Sequence, residues 1–194
     1  MKPGRGTKSA ATWRLDASGV LGAASYIPSP NFDDRPDGAS IDLLVVHNIS
    51  LPPGEFGGPG IIELFTNRLD PNAHPYYRQI ADAKVSSHFL IRRDGELIQF
   101  VPCSRRAWHA GRSEWQGRGR CNDFSIGVEL EGADDQAFAD SQYSTLAALA
   151  SVLHATYPIR DCVGHSDIAV PPGRKSDPGP HFNWVGFRAM LVKP

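Results

Sequence analysis

A chain of 194 residues is long enough to bury a full core as one domain without disulfide staples. Its content, 41% hydrophobic and 21% charged, is ordinary for a globular protein, and 20 basic against 21 acidic residues leave a formal net charge of -1. That balance excludes the basic footprint of a nucleic-acid binder, and no apolar run approaches the roughly 18 residues a membrane span needs. Met1 to Arg14 is basic and polar and lacks the apolar run of a secretory signal, so a cytoplasmic protein is expected. Cys103, Cys121 and Cys162 are odd in number and show no CxxC spacing, which suits reduced thiols better than a disulfide framework.

Residues 1–26 show no sustained periodicity and are expected to form an N-terminal arm lying on a single domain, 27–194. Ile41 to His47 reads as a buried strand, a short β-branched run that ends at His47-Asn48, where a Pro/Gly-rich loop from Leu51 to Gly60 takes over. Apolar residues at helical spacing predict a helix over Ile61 to Leu69, started near Pro59 and stopped by Asp70-Pro71. Ser86 to Arg92 and Glu96 to Val101 flank Asp94-Gly95, a strong hairpin signal. The Arg-, Gly- and Trp-rich stretch from Cys103 to Asn122 is expected to loop over the domain. Phe124 to Glu131 alternates, with Ile126, Val128 and Leu130 on one face and Gly127, Glu129 and Glu131 on the other.

Tyr143, Leu146, Ala147, Ala150, Leu153 and Tyr157 form the apolar stripe of a helix that ends before Pro158. A short strand, Ile159 to Val163, then delivers Gly164-His165 into a loop whose Pro171, Pro172, Gly173 and Asp177-Pro178-Gly179 disfavour helix. A last helix runs from about Trp184 to Leu191. Strands mixed with helices and one hairpin predict an α/β (α+β) fold, a mixed central sheet flanked by helices.

His47, Glu129 and His165 all fall at or near the ends of apolar strands, so neighbouring strands would bring them to one edge. His88, His154 and His181 sit where structural roles are the safer reading. Two imidazoles plus the Asp177 carboxylate make a three-ligand zinc (Zn2+) site with a fourth position open to water, although Asp167 is an equal carboxylate candidate on residue type alone. Glu129 is then the best-placed base for the water, and Lys175, two residues before Asp177, the cation for an oxyanion. The chain has no HExxH and no G-x-S-x-G elbow, which argues against a helix-borne metalloprotease and a serine hydrolase. Cys162 near His165 is read as a small buried hydrophobe rather than a nucleophile.

Leu44 to Gly57, Cys121 to Gly132 and Gly164-His165 through Pro180 resemble the three signatures of the AmpD-type N-acetylmuramoyl-L-alanine amidases, and Ser86 to Gly95 and Arg106 to Gly111 also fit. The resemblance covers roughly residues 27–190. It implies a fold shared with peptidoglycan-recognition proteins and T7-type lysozyme amidases. It implies metal ligands at His47, His165 and Asp177, Glu129 as acid/base partner and Lys175 as stabiliser of the tetrahedral intermediate. Asn48, Tyr76, Trp108 and Arg120 match positions of substrate binding, Tyr76 as a support near the metal; Lys84 stands where an arginine is expected. The implied reaction is cleavage of the lactyl–L-alanine amide of 1,6-anhydromuramyl peptides, small-molecule partners of cytosolic cell-wall recycling whose removal lowers β-lactamase induction. A monomer is expected. The rivals are an amidase acting on intact murein and a recognition module that binds without cutting, against which the full ligand set argues.

Overall fold

The computed structural model describes residues 13–191; residues 1–12 of the expected arm lie outside the described residues. The strands are β1 (Ser25–Tyr26), β2 (Phe32–Asp33), β3 (Leu43–Ile49), β4 (Phe89–Ile91), β5 (Leu97–Gln99), β6 (Arg106–Ala107), β7 (Glu114–Trp115), β8 (Arg118–Gly119), β9 (Ser125–Glu131) and β10 (Asp161–Gly164). The α-helices are α1 (Gly60–Phe65), α2 (Asp140–Thr156), α3 (His165–Ile168) and α4 (Trp184–Met190). Six strands form the central sheet in the order β1-β5-β4-β9-β3-β10. Strands β10, β3, β9 and β4 run parallel, β5 turns back antiparallel to β4 through the Asp94-Gly95 turn, and β1 pairs parallel with β5. The mixed sheet with helices on it is the architecture the element pattern predicts.

One face of the sheet buries Leu44, Val46, Ile126, Val128 and Leu130 against α2 and α4. Leu146 and Leu149 of α2 and Phe187 of α4 are fully buried there, so truncating Leu146 to Ala would cost about 2–5 kcal/mol. Gln142 fixes where α2 begins: it accepts the Ala139 N–H at 3.0 Å and donates to the carbonyls of Ile91 and Glu131 at 3.2 and 3.0 Å. The helix start is thereby tied to the C-terminal ends of β4 and β9. On the opposite face α1 packs Ile61, Leu64 and Phe65 over Leu90 and Ile98. Further along that face Leu43, Val45 and Val163 lie beneath Ala110, Cys121, Phe124 and Ile168. The stretch from Cys103 to Asn122 does loop over the domain, carrying β6 (paired with β2) and the β7–β8 ribbon.

Several elements differ from the sequence reading. Strand β3 runs on to Ile49 because its parallel pairing with β9 persists to Ile49↔Glu131, so His47 lies inside the strand. Helix α1 stops at Phe65, well before Asp70-Pro71, because Asn67 takes a left-handed φ of 57° and exchanges amide hydrogen bonds with Asn31. The segment after β10 opens with one helical turn, α3, before the prolines take effect. In the N-terminal segment, Leu21 is buried in the core and Ser25–Tyr26 forms the edge strand of the central sheet.

Arg35 fastens the covering segment to the sheet. Its half-buried guanidinium meets four backbone carbonyls, those of Cys103, Asn122, Asp123 and Ser125, at 2.8–3.3 Å. No carboxylate pairs with it in that set, and burial pulls its pKa down to about 10. Burial pushes the thiols of Cys103 and Cys162 up to about 12, and Cys162, expected to be buried, is half-buried.

Candidate active site

Sheet register builds the site. His47 on β3 and Glu129 on β9 are direct partners, and β10, on the other side of β3, pairs Gly164 with Val46 so that His165 follows at the same end. Side chains alternate along a strand, so Leu43, Val45 and His47 share a face with Ser125, Gly127, Glu129 and Glu131. The site therefore opens beyond the C-terminal ends of parallel strands, where α/β sheets place their ligands. All seven residues of β9 are buried; its polar face lies beneath the 103–122 segment and the pocket rather than in solvent.

His47 Nδ1 lies 3.0 Å from His165 Nδ1 and 3.0 Å from Asp177 Oδ2, and the last two atoms are 3.1 Å apart. Among the described residues these three form a group able to share one metal ion. The chemistry of the donors bears this out. His165 Nε2 faces the Ala110 carbonyl at 3.1 Å, a group that only accepts, so the proton of the neutral ring sits on Nε2 and Nδ1 is a bare lone pair. That lone pair faces a carboxylate oxygen, itself an acceptor. Such a convergence of acceptors calls for a cation, and three atoms spaced in this way suit an ion about 2 Å from each. His47 is 1% exposed, and burial keeps its imidazole below its ordinary pKa, in the neutral form a metal ligand needs.

Glu129 stands beside this triangle, 8% exposed, with Oε2 buried and, among the described residues, without a hydrogen-bond partner. Burial holds its carboxyl well above the usual range; the Asp177 charge adds to the rise and Lys175 opposes it. Lys175 lines the same pocket. Glu131, two residues on, is consumed elsewhere: Oε1 accepts from Gly57 N–H at 2.7 Å and from Arg92 at 2.8 Å, and Oε2 from Arg93 N–H at 3.3 Å. Its carboxylate anchors the Pro/Gly-rich loop and is not free to act as a base.

The pocket measures about 690 Å³ and is walled by Asn48, Tyr76, Trp108 and Asp134 as well as the triangle. Asn48 donates to Asp134 Oδ1 at 2.6 Å. Trp108 Nε1 donates to Asp33 Oδ1 at 3.1 Å, and Asp33 is in turn held by Arg106. Arg120 is not brought into the pocket; its side chain is 73% exposed and pairs with Asp123 at 3.2 Å. Lys84 is exposed and does not line the pocket, although its neighbours Ala83 and Val85 do. Asp167 accepts the Gly164 N–H at 2.7 Å and so shapes the turn into α3. Sequence reasoning missed Asp134 and His109. The signal for His109 was Gly127, since a glycine inside a strand marks close approach by another group.

Residues 37–180 match the family described as N-acetylmuramoyl-L-alanine amidase. The 1,6-anhydro-N-acetylmuramyl-L-alanine amidase AmpD of Citrobacter freundii is 58% identical over 176 residues, 90% of this chain and 93% of that protein. A crystal structure of a selenomethionine AmpD derivative superposes with a TM-score of 0.88 at 58% identity, covering 92% of this chain and 99% of the other. The amidase AmiD of E. coli, solved with anhydro-N-acetylmuramic acid-L-Ala-D-gamma-Glu-L-Lys, gives a TM-score of 0.58 at 30% identity over 82% of this chain and 62% of its own.

Proposed function

The chain belongs to the N-acetylmuramoyl-L-alanine amidase family, and from that premise we propose a zinc-dependent enzyme that hydrolyses the lactyl–L-alanine amide of 1,6-anhydro-N-acetylmuramyl peptides. The observation that carries the zinc assignment is the triangle of His47 Nδ1, His165 Nδ1 and Asp177 Oδ2 with the unpartnered Glu129 carboxyl beside it. The substrate assignment rests on the similarity to AmpD and on the anhydromuropeptide bound to AmiD.

His47, His165 and Asp177 would hold the ion. Zinc bound there supplies Lewis acidity, polarising the amide carbonyl and making water nucleophilic near neutral pH. Glu129 takes the proton from the attacking water and returns it to the leaving amine of L-alanine. Burial raises its pKa above that of an ordinary carboxyl, which makes its carboxylate a stronger base toward the water. Lys175 presents an ammonium to the carbonyl oxygen as negative charge gathers on it. Trp108, with its indole N–H tethered to Asp33, offers an apolar face to the sugar, and Asn48 offers an amide to the peptide; Tyr76 closes the wall near the metal. Arg120 meets substrate only if the side chain leaves Asp123 and swings inward.

The setting proposed is the cytoplasm, where a monomeric enzyme removes anhydromuropeptides during cell-wall recycling and so lowers β-lactamase induction. No helix among the described residues is long and apolar enough to cross a membrane. The test is turnover of purified 1,6-anhydroMurNAc-peptide before and after chelation, with intact sacculi assayed in parallel. Loss on chelation, recovery with zinc and preference for the anhydromuropeptide are expected. Full activity in a metal-free preparation would sink the mechanism, and equal activity on sacculi the substrate.

A further inference from the structure

We propose that His109 is the positioning residue of the metal centre, accepting the Nε2–H of His47 and so fixing that ring with Nδ1 bare toward His165 and Asp177. The inference extends the zinc reading to a residue outside the ligand set.

It follows from tracing protons inward from a group with only one possible role. The Cys121 carbonyl accepts the Ser125 hydroxyl proton at 2.6 Å. With that proton committed, Ser125 Oγ, 3.2 Å from His109 Nε2, can only accept from it. His109 Nε2 therefore carries the proton of its neutral ring, and Nδ1 is the lone pair. That lone pair faces His47 Nε2 at 2.9 Å, so Nε2 of His47 is the donor and its Nδ1 is left bare. On the far side of the triangle His165 Nε2 donates to the carbonyl of Ala110, the residue next to His109. Two consecutive residues of the covering segment thus set the orientation of both imidazoles. A ligating imidazole is oriented by the partner of its other nitrogen, and such partners tune affinity.

Strand β9 is shaped around the ring. A Cβ at Gly127 would lie 2.5 Å from His109 Cγ and 2.6 Å from its Nδ1, so the imidazole rests directly on the glycine backbone. Ser125, two residues earlier on the same face, meets one nitrogen, and Glu129, two residues later, reaches the pocket. The backbone of His109 is itself held, because Asn122 Oδ1 accepts from the N–H groups of His109 and Ala110 at 3.2 and 2.8 Å. A ring that only filled space would need neither the serine nor the aligned nitrogens.

The experiment compares zinc affinity, by competition with a chromogenic chelator, in the wild type, His109→Leu and His109→Asn, with ring 15N shifts of His47 recorded in the metal-free wild type. His109→Leu keeps bulk but loses the acceptor, and a 10–100-fold loss of zinc affinity is expected. His109→Asn places Oδ1 where Nδ1 was and should stay close to wild type. His47 should show a protonated Nε2 and a bare Nδ1. Wild-type affinity in His109→Leu, or a proton on His47 Nδ1, overturns the proposal. If the Leu variant fails to fold, Ser125→Ala, which frees the His109 tautomer, should weaken zinc in the same direction, and unchanged affinity there counts against the proposal. A wild type that takes up no zinc would instead overturn the function proposed above, while the 15N pattern would still decide this one.

Discussion

His47 and Glu129 are register partners on adjacent parallel strands, β3 and β9, so one hydrogen-bonded ladder sets both a ligand candidate and a base candidate at the same height in the pocket. The two carboxylates of β9 differ sharply in surroundings: Glu131 is saturated by Arg92 and backbone N–H groups, whereas Glu129 has a buried oxygen with no partner. Glu129→Gln keeps the shape and removes the proposed base. Turnover should fall about 10²–10⁴-fold with zinc content unchanged, measured as kcat and bound metal on the same sample. Loss of zinc together with turnover would make Glu129 a ligand instead.

Lys175 should act on the transition state more than on binding. Its ammonium shares the pocket with Glu129 and Asp177, and its charge is felt at both Glu129 and His47. Lys175→Met is expected to lower kcat about 10²–10³-fold while KM moves little, the pattern of a lost oxyanion donor. A rise in KM with kcat preserved would assign Lys175 to substrate binding.

The buried Arg92–Glu131 pair anchors the Leu51–Gly60 loop through the Gly57 N–H and the Gly58 carbonyl, and Arg93 lies over the Phe56 ring 5.1 Å from its centroid. Removing Glu131 strips the Gly57 and Arg93 N–H groups of their acceptor and leaves Arg92 with Glu96, 4.0 Å away, as its nearest carboxylate. Glu131→Ala should therefore cost about 1–3 kcal/mol in urea unfolding. The same change should raise KM more than it lowers kcat, because the loosened loop carries pocket residues such as Leu51 and Pro53. A stability unchanged by the substitution would show that the pair does not hold the loop.

Local signals made most elements legible, and non-local ones hid the rest. Apolar runs ending at His47, Glu131 and Val163 are readable because strand patterning is a property of a few neighbouring residues. That β10, β3 and β9 lie side by side is not, since strand order depends on which distant runs pack best. The extension of β3 to Ile49 is fixed by Glu131, more than eighty residues away in sequence, and no local signal near Asn48 announces it. His109 escaped notice for a similar reason: its partners, His47, Ser125 and Gly127, come from strands β3 and β9, and only the glycine hints at them. Arg120 directly precedes the Cys121–Gly132 signature, and no local pattern announces the φ of 61° that begins the turn in which it pairs with Asp123.

His88 should make the metal-free protein sensitive to acid. Its ring is buried, accepts the Gly127 N–H at 3.0 Å on Nδ1 and meets the Arg105 carbonyl at 3.1 Å on Nε2. Burial, reinforced by the Arg35 charge 3.1 Å away and opposed by that carbonyl, lowers its pKa to about 3 from 6.5. Between those values the unfolded chain binds a proton that the native protein excludes, so stability falls as pH drops below 6.5, while above 6.5 the two states bind equally and the contribution is complete. At pH 5 the loss from this one residue is about 2 kcal/mol. His88→Asn retains an acceptor for Gly127 and cannot charge. It should be less stable than wild type at pH 7.5 because the Arg105 carbonyl loses its donor, and the gap should shrink by about 2 kcal/mol at pH 5. Urea unfolding of both proteins at the two pH values, with chelator present throughout, measures the gap directly; parallel losses in the two proteins would show that His88 is not the residue that must charge.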